Sequence, residues 1–268
     1  MTTFFAPAPL IEARVRVLLL GVGGTGCDVL DALVRLHHGI LATGHPGGLH
    51  VTVMDGDTVS EANVGRQRFG RCDVGHSKAL LLVHRVCLLH GLDWTAIPRY
   101  CELDADGCAD LRLEHVDLLL TCVDRAEVRV GIAKRARQCH ARGLWADFGN
   151  AVRTGQFVLG HLCDAPEGVQ RLPNVVDLYP ELSMVDDTEE PSCSFEEAIT
   201  RQDLFVNPVL AYTGISMLWN LFRHGALHGH AAFVDVGRTS VQPLAIDAEA
   251  WRFFGYDPNP APRAVLRT

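Results

Sequence analysis

The run Val15–Leu20 followed by Gly21-Val-Gly-Gly-Thr-Gly26 constrains this chain more than any other stretch. An almost wholly apolar run of this length is the pattern of a strand buried on both faces of a parallel sheet. Glycines at a strand-to-helix turn let backbone N–H groups approach a phosphate, and the N-terminus of the next helix favours its negative charge. Cys27–His37 then carries Val29, Leu30, Leu33, Val34 and Leu36 at near-helical spacing. Leu49–Met54 alternates as a strand does and ends at Asp55. An unusual polar tail follows, Asp55-Gly-Asp57 and then Asn63-Val-Gly-Arg66-Gln67. A dinucleotide-redox site wants an acid about 20 residues past the turn and no arginine–lysine pair. A reaction at ATP phosphates needs those cations.

Further along, Val74–Leu89 and Glu127–Ala141 have helical spacing, and Ala96–Tyr100, Leu118–Val123 and Leu144–Phe148 read as strands. The glycine-rich stretch His38–Gly48 reads as a loop. Strands alternating with helices predict an α/β fold with a doubly wound, mostly parallel sheet of Rossmann type. Ala151–Leu162 is β-like, and Asp164–Pro191 is rich in Pro, Asp and Glu, as a long mobile crossover loop would be. Pro208–Phe222 is an apolar helix, and Ala231–Val236 with Val241–Ile246 reads as a hairpin. The expected organisation is a nucleotide-binding core over 1–162, the crossover loop over 163–193, and a C-terminal helix and strands over 194–268 completing the same domain.

With 268 residues, 48% of them hydrophobic, the chain can bury a sizeable core. Its net charge of -8 and lack of a lysine-rich run argue against nucleic acid as the main partner. No apolar run approaches the roughly 20 residues of a membrane span, and the N-terminus has no basic signal region. The nine cysteines are odd in number, lie mostly inside apolar patterns and include no C-x-x-C. That usage fits a cytoplasmic protein whose thiols are small core residues, and not a paired-cysteine zinc site.

A carboxylate that attacks the α-phosphate of ATP needs the triphosphate held, its growing charge neutralised, Mg²⁺ bound and the ribose placed. Asp55, at a strand C-terminus, can accept from ribose hydroxyls. Arg66 and Lys78 supply positive charge to the phosphates. Asp124 follows the apolar strand at 118–123, where an open α/β sheet builds its crevice, and is positioned to hold Mg²⁺.

The order Gly-x-Gly-Gly-x-Gly, Asp-x-Asp, Asn-x-x-Arg-Gln, then Lys78, then Asp124 with Arg129 resembles the ThiF/MoeB/ubiquitin-activating superfamily over roughly residues 14–150. Within it, His45-Pro-Gly-Gly-Leu-His-Val-Thr-Val and Thr58-Val-Ser-Glu-Ala-Asn-Val-Gly-Arg-Gln look like the ThiF branch of the bacterial PRTRC system. The resemblance implies a homodimeric enzyme that uses ATP and Mg²⁺ to adenylate the C-terminal glycine of a ubiquitin-like or sulfur-carrier protein. It also implies a possible conjugating-enzyme-like protein downstream. Carried over by position, the nucleotide set is Gly23, Gly24, Gly26, Asp55, Asp57, Asn63, Arg66, Gln67, Lys78 and Asp124. Cys193, in Glu190-Pro-Ser-Cys-Ser-Phe, matches the position at which some relatives take the activated carboxyl as a thioester; others stop at the adenylate. A thiol near a helix N-terminus is a better nucleophile. Two departures stand out. Relatives often insert an N-terminal arginine into the neighbouring subunit, whereas here only Arg14 and Arg16 precede the glycine turn. The paired zinc cysteines of some relatives are missing.

Simpler explanations exist for each feature alone. A lone glycine turn suits NAD or FAD, Arg66 or Lys78 singly is an ordinary surface charge, and Asp124 is a plausible helix cap. His37, His38, His84, His90, His224, His228 and His230 are too scattered for a ligand set and read as surface or helix-end residues. The same fold adenylating a small molecule or a tRNA base, or serving as a non-catalytic ATP-binding adaptor, remains the alternative.

Overall fold

A computed structural model describes residues 2–185 and 202–258. Its centre is a mixed sheet of eight strands. In chain order these are β1 (Val15–Leu20), β2 (Leu49–Met54), β3 (Thr95–Ile97), β4 (Leu118–Thr121), β5 (Leu144–Asn150), β6 (Thr154–His161), β7 (Gly229–Asp235) and β8 (Ser240–Ala245). The spatial order is β8-β7-β6-β5-β4-β1-β2-β3. β3, β2, β1, β4 and β5 run parallel, and β6, β7 and β8 add on antiparallel. β1 is central: Val17 pairs with Val51 on one side and Leu118 on the other. Chain order reverses about this strand, so the crevice beyond its C-terminal end is where an open α/β sheet takes its ligand.

Four long helices pack on the sheet: α1 (Gly24–Ala42), α2 (Lys78–His90), α3 (Ala126–Gln138) and α4 (Val206–His224). α1 overruns its expected end, and the stretch from His38 to Ala42 is helix rather than loop. Gly39 is not a breaker here. A Cβ on it would stand 2.9 Å from the Trp219 ring, so the glycine lets α1 and α4 approach closely, and Ile40 is buried beside it. α2 starts later than expected, at Lys78, because Ser77 caps it by accepting from the Leu80 amide. Its far end is closed by left-handed Gly91. β3 is shorter than expected, so Tyr100 lies outside it, and β4 ends at Thr121 with Asp124 beyond it.

The crossover segment is built as far as Val185. Leu172, Val175 and Leu178 are buried, and Asn174 caps a short helix at Val175–Leu178. Arg171 holds it by bonding Asp177 at 2.6 Å and the Tyr256 hydroxyl at 3.0 Å. The rest of that segment, Cys193 included, lies outside the described residues.

Two histidines expected at the surface are interior. His37 accepts the Leu49 amide, and His230 is wholly buried. The Trp251 indole N–H donates to His230 Nε2 at 2.7 Å, which leaves the proton on Nδ1, facing the Leu159 carbonyl at 2.8 Å. Burial lowers His230 to about 4, and Trp251 already occupies the lone pair that a second proton would need. Burial likewise takes His161 to about 4. An unfolded chain protonates both below about pH 6.5, and the folded chain only near pH 4, so their stabilisation is complete above the upper value and is lost as pH falls through this window. Urea unfolding at pH 7 and pH 5 is therefore expected to show a loss of about 2 kcal/mol per ring; a flat profile would contradict the buried neutral assignment.

Candidate nucleotide site

The glycine turn is fixed by close approach. Gly21 has φ +82°, and a Cβ on it would lie 2.7 Å from the Cys122 carbonyl oxygen. A Cβ on Gly26 would collide with the Gly21 carbonyl, and one on Gly24 would lie 2.6 Å from Asn207 Nδ2. Gly23 differs: a Cβ there meets nothing within 4 Å. It is the N-cap of α1, with no side-chain cap and no acidic residue in the first turn. Open space thus meets the positive end of a 19-residue helix.

Asp55 ties this turn to the polar tail. Its Oδ2 accepts the Val22 amide at 2.6 Å and its Oδ1 the Asp57 amide at 2.7 Å. Burial raises its pKa against the pull of those two amides. Each carboxylate oxygen retains a second lone pair for a ribose hydroxyl. Asp57 in turn pairs with Lys78 Nζ at 2.8 Å and accepts the Tyr100 hydroxyl. Burial alone would raise Asp57, but the bonds from Lys78 and Tyr100 carry it below the usual carboxylate range. Lys78 is itself buried at the first position of α2, where a cation opposes the helix dipole. Its placement is unfavourable for the helix, and Asp57 offsets the cost.

Asn63 acts first as a loop former. Its Oδ1 accepts the Ser60 amide at 2.9 Å, and its carbonyl accepts the Gln67 amide at 2.9 Å. That tight turn presents Arg66 half-buried. Arg66 Nη1 donates to Gln202 at 3.3 Å, its Nε is buried without a partner, and no carboxylate pairs with it among the described residues. Burial lowers its pKa. A second unpartnered buried atom, Gln67 Oε1, lies on the next residue.

Several residues that sequence reasoning did not assign complete the site. The Thr25 hydroxyl donates to Asn207 Oδ1 at 3.0 Å, Asn150 Nδ2 bonds both, and Asn207 Nδ2 donates to Gln202 Oε1 at 3.0 Å. This network joins the glycine turn, the end of β5, the start of α4 and Arg66. Beneath it, Arg129 Nε bonds Asp147 at 2.8 Å, and the Thr121 hydroxyl bonds the same oxygen at 2.5 Å. The signal for Asp147 was available as a lone charge inside the apolar run Leu144–Phe148. Nothing in the pattern singled out Asn207.

Asp124 is exposed in the turn before α3, whose N-cap is Arg125 without a side-chain cap bond. No cluster of three or more His, Cys, Asp or Glu suited to a metal occurs among the described residues. That donor set still fits Mg²⁺, which commonly takes one or two carboxylates together with substrate phosphates. The N-terminal arginines are engaged within the chain: Arg14 pairs with Asp93, and Arg16 pairs twice with Asp117, at 3.0 and 2.7 Å.

A parallel sheet with a glycine turn at its switch point defines a Rossmann-type α/β protein. Within that class the chain belongs to the ThiF family, which matches residues 12–221. A stretch of 70 residues, 26% of this chain, is 37% identical to the Nedd8-activating enzyme E1 catalytic subunit of Drosophila melanogaster, of which it covers 13%. The fold is shared with PaaA (TM-score 0.58, 13% identity). It is shared also with Escherichia coli MccB in complex with ATP (TM-score 0.56, 16% identity) and with MccA-N7isoASN (TM-score 0.56, 18% identity). In each case 87% of this chain aligns with 64% of the solved one, so the chain spans just under two thirds of their length.

Buried Arg129 and half-buried Arg66 should separate in their effects on stability. Arg129→Met strands the Asp147 carboxylate and is expected to cost about 3–5 kcal/mol in urea unfolding. Arg66→Met removes no paired charge and should cost less than about 1 kcal/mol. Equal losses would show that Arg66 has a structural role.

Proposed function

We propose that this chain is an ATP-dependent adenylyltransferase that activates the C-terminal glycine of a ubiquitin-like or sulfur-carrier protein. The observation that carries the proposal is Arg66: a half-buried guanidinium whose Nε lacks a partner, beside an uncapped glycine turn. Burying such a group without a partner costs free energy unless an anion completes it. MccB solved with ATP shares this fold, which supports the choice of anion.

The amides at Gly23 and Gly24 and the positive end of α1 bind the phosphates. Asp55 orients the ribose through its remaining lone pairs, while its bonds to Val22 and Asp57 keep the turn open. Lys78 has three donors and gives one to Asp57, so the others can face phosphate. Arg66 stabilises charge that grows on the α-phosphate as the carboxylate attacks and pyrophosphate departs. Mg²⁺, held by Asp124 and the phosphates, would neutralise charge on the leaving pyrophosphate. As in the family resemblance, the enzyme acts as a cytoplasmic homodimer, with a conjugating-enzyme-like protein as a candidate downstream partner. No helix among the described residues is long and apolar enough to cross a membrane.

The test is Mg²⁺-dependent ATP–pyrophosphate exchange with and without a small protein ending in glycine. Carrier-dependent exchange supports the proposal. ATP binding with no exchange for any carrier would favour an adaptor, and exchange driven by a small molecule or tRNA would replace the substrate. Arg66→Ala should lower the exchange rate by about 10²–10³-fold with the fold intact, and Asp124→Ala should abolish exchange. Thioester formation on Cys193 belongs to the same proposal. Cys193→Ala should retain exchange and lose the thiol-labile carrier adduct; an adduct that survives would place the nucleophile elsewhere.

A further inference from the structure

Cys101 precedes and Cys108 ends a small hairpin, Leu103–Asp104 paired with Gly107–Cys108, that stands apart from the central sheet. Their sulfurs lie 3.7 Å apart and share a hydrogen bond. The two differ in setting. Cys108 is buried against α3, where its sulfur also faces the Val128 carbonyl at 3.7 Å and a Cβ on Gly131 would reach it at 3.1 Å. Cys101 is only partly buried. The Cys108 thiol can donate to Cys101, which favours the thiolate there and pulls the Cys101 pKa below the usual thiol value. A partly accessible sulfur with thiolate character beside a second, fixed sulfur is the arrangement of an attacking and a resolving cysteine.

The residue before Cys101 matters as much. Tyr100 packs its ring on Gly56, where a Cβ would stand 2.6 Å away, and donates its hydroxyl to Asp57. The ring is 65% exposed, so it is held from one side only. Tyr100 therefore links the backbone beside Cys101 to the Asp57–Lys78 pair.

We propose that Cys101 and Cys108 form a redox-active pair that is closed by exchange with a low-molecular-weight disulfide, and that closure draws Tyr100 off Asp57. In the first step the Cys101 thiolate attacks one sulfur of the oxidant RSSR, giving a mixed disulfide and releasing RS⁻. Cys108 then gives up its proton and attacks Cys101 Sγ, expelling the second RS⁻. The two cysteines lose two electrons and two protons, and RSSR becomes two RSH. Closure shortens the sulfur separation from 3.7 Å to about 2.0 Å. Cys108 is pinned by α3, so the movement falls on Cys101 and Tyr100. The consequence for ATP rests on the nucleotide proposal above: without Tyr100, Asp57 holds Lys78 more closely, and the affinity for ATP falls.

The experiment equilibrates the full chain with graded ratios of oxidised and reduced glutathione, followed by acid quench and disulfide mapping by peptide mass spectrometry. A Cys101–Cys108 linked peptide is expected, together with a glutathione adduct on Cys101 in Cys108→Ser. Free thiols at both positions in fully oxidised buffer, or linkage of either to another cysteine instead, would overturn the pair. Hydrogen exchange at residues 55–57 should rise on oxidation of the wild type and stay unchanged in the Cys101→Ser/Cys108→Ser double variant. Unaltered exchange alongside the linked peptide would overturn the displacement of Tyr100. ATP titration should show a Kd about threefold weaker or more in the oxidised form. ATP binding to neither form would count against the nucleotide proposal alone, because mapping and exchange are read without nucleotide.

Discussion

Two hydrogen bonds to one carboxylate organise the candidate site. Asp55 takes the Val22 amide from the glycine turn and the Asp57 amide from its own tail, and so locks the C-terminal ends of β1 and β2 together. Amide bonds to a charged acceptor are worth about 1.5–3 kcal/mol each, enough to hold a turn that otherwise consists of glycine. Everything around the site depends on that lock. It points Gly23 toward open space, and it sets the Asp57 side chain where Lys78 and Tyr100 can reach it. A single carboxylate thus connects the glycine turn with the cationic side of the crevice.

The surrounding charges are poorly placed for stability. Lys78 opposes the dipole of α2, and Arg66 buries a guanidinium nitrogen with no acceptor. Asp147 bonds Arg129 through one oxygen while the other is buried and unpartnered. Each departs from what a well-folded chain would choose on local grounds. Lys78, Arg66 and Asp147 lie around the crevice at the switch point, although two further unpartnered buried atoms, His50 Nδ1 and His161 Nε2, sit on β2 and β6. Strain gathered about a crevice in this way is one mark of a binding surface.

Most of the fold could be read from the sequence because period and burial agree there. β1, β2, β5 and the hairpin β7–β8 carry the pattern expected of them, and α4 brackets the run Pro208–Phe222 at both ends. The errors fall where a tertiary contact overrides a local rule. By local rule Gly39 is a breaker, but Trp219 requires a residue without a side chain at that point inside a helix. By pattern His230 is a surface residue, but Trp251 and the Leu159 carbonyl satisfy both ring nitrogens in the core. Around the glycine turn, Asp55 bonds Val22 and Asp57, Asp57 pairs with Lys78, and Arg66 reaches the turn through Gln202 and Asn207. Asn150 and Asn207 could not be foreseen, because the partners that tie them to the turn are far away in sequence and no periodicity marks a polar side chain that bridges elements.

Gln202 shows what such bridging residues add. Its carbonyl oxygen accepts from both Arg66 Nη1 and Asn207 Nδ2, and two lone pairs are all it has. Asn207 is tied through Thr25 to the first turn of α1, so the glycine turn, the start of α4 and Arg66 share a single acceptor. An anion strong enough to draw Arg66 toward the turn removes one of the two bonds that hold Gln202. Gln202 is then held by Asn207, and the chain leading into α4 by the Asp203 amide bond to the Val152 carbonyl at 2.7 Å and the Arg153–Asp203 pair at 3.8 Å. Filling of the crevice and the position of the segment entering α4 are therefore linked through one side chain. The linkage runs both ways, since fixing that segment also fixes the acceptor that holds Arg66 back.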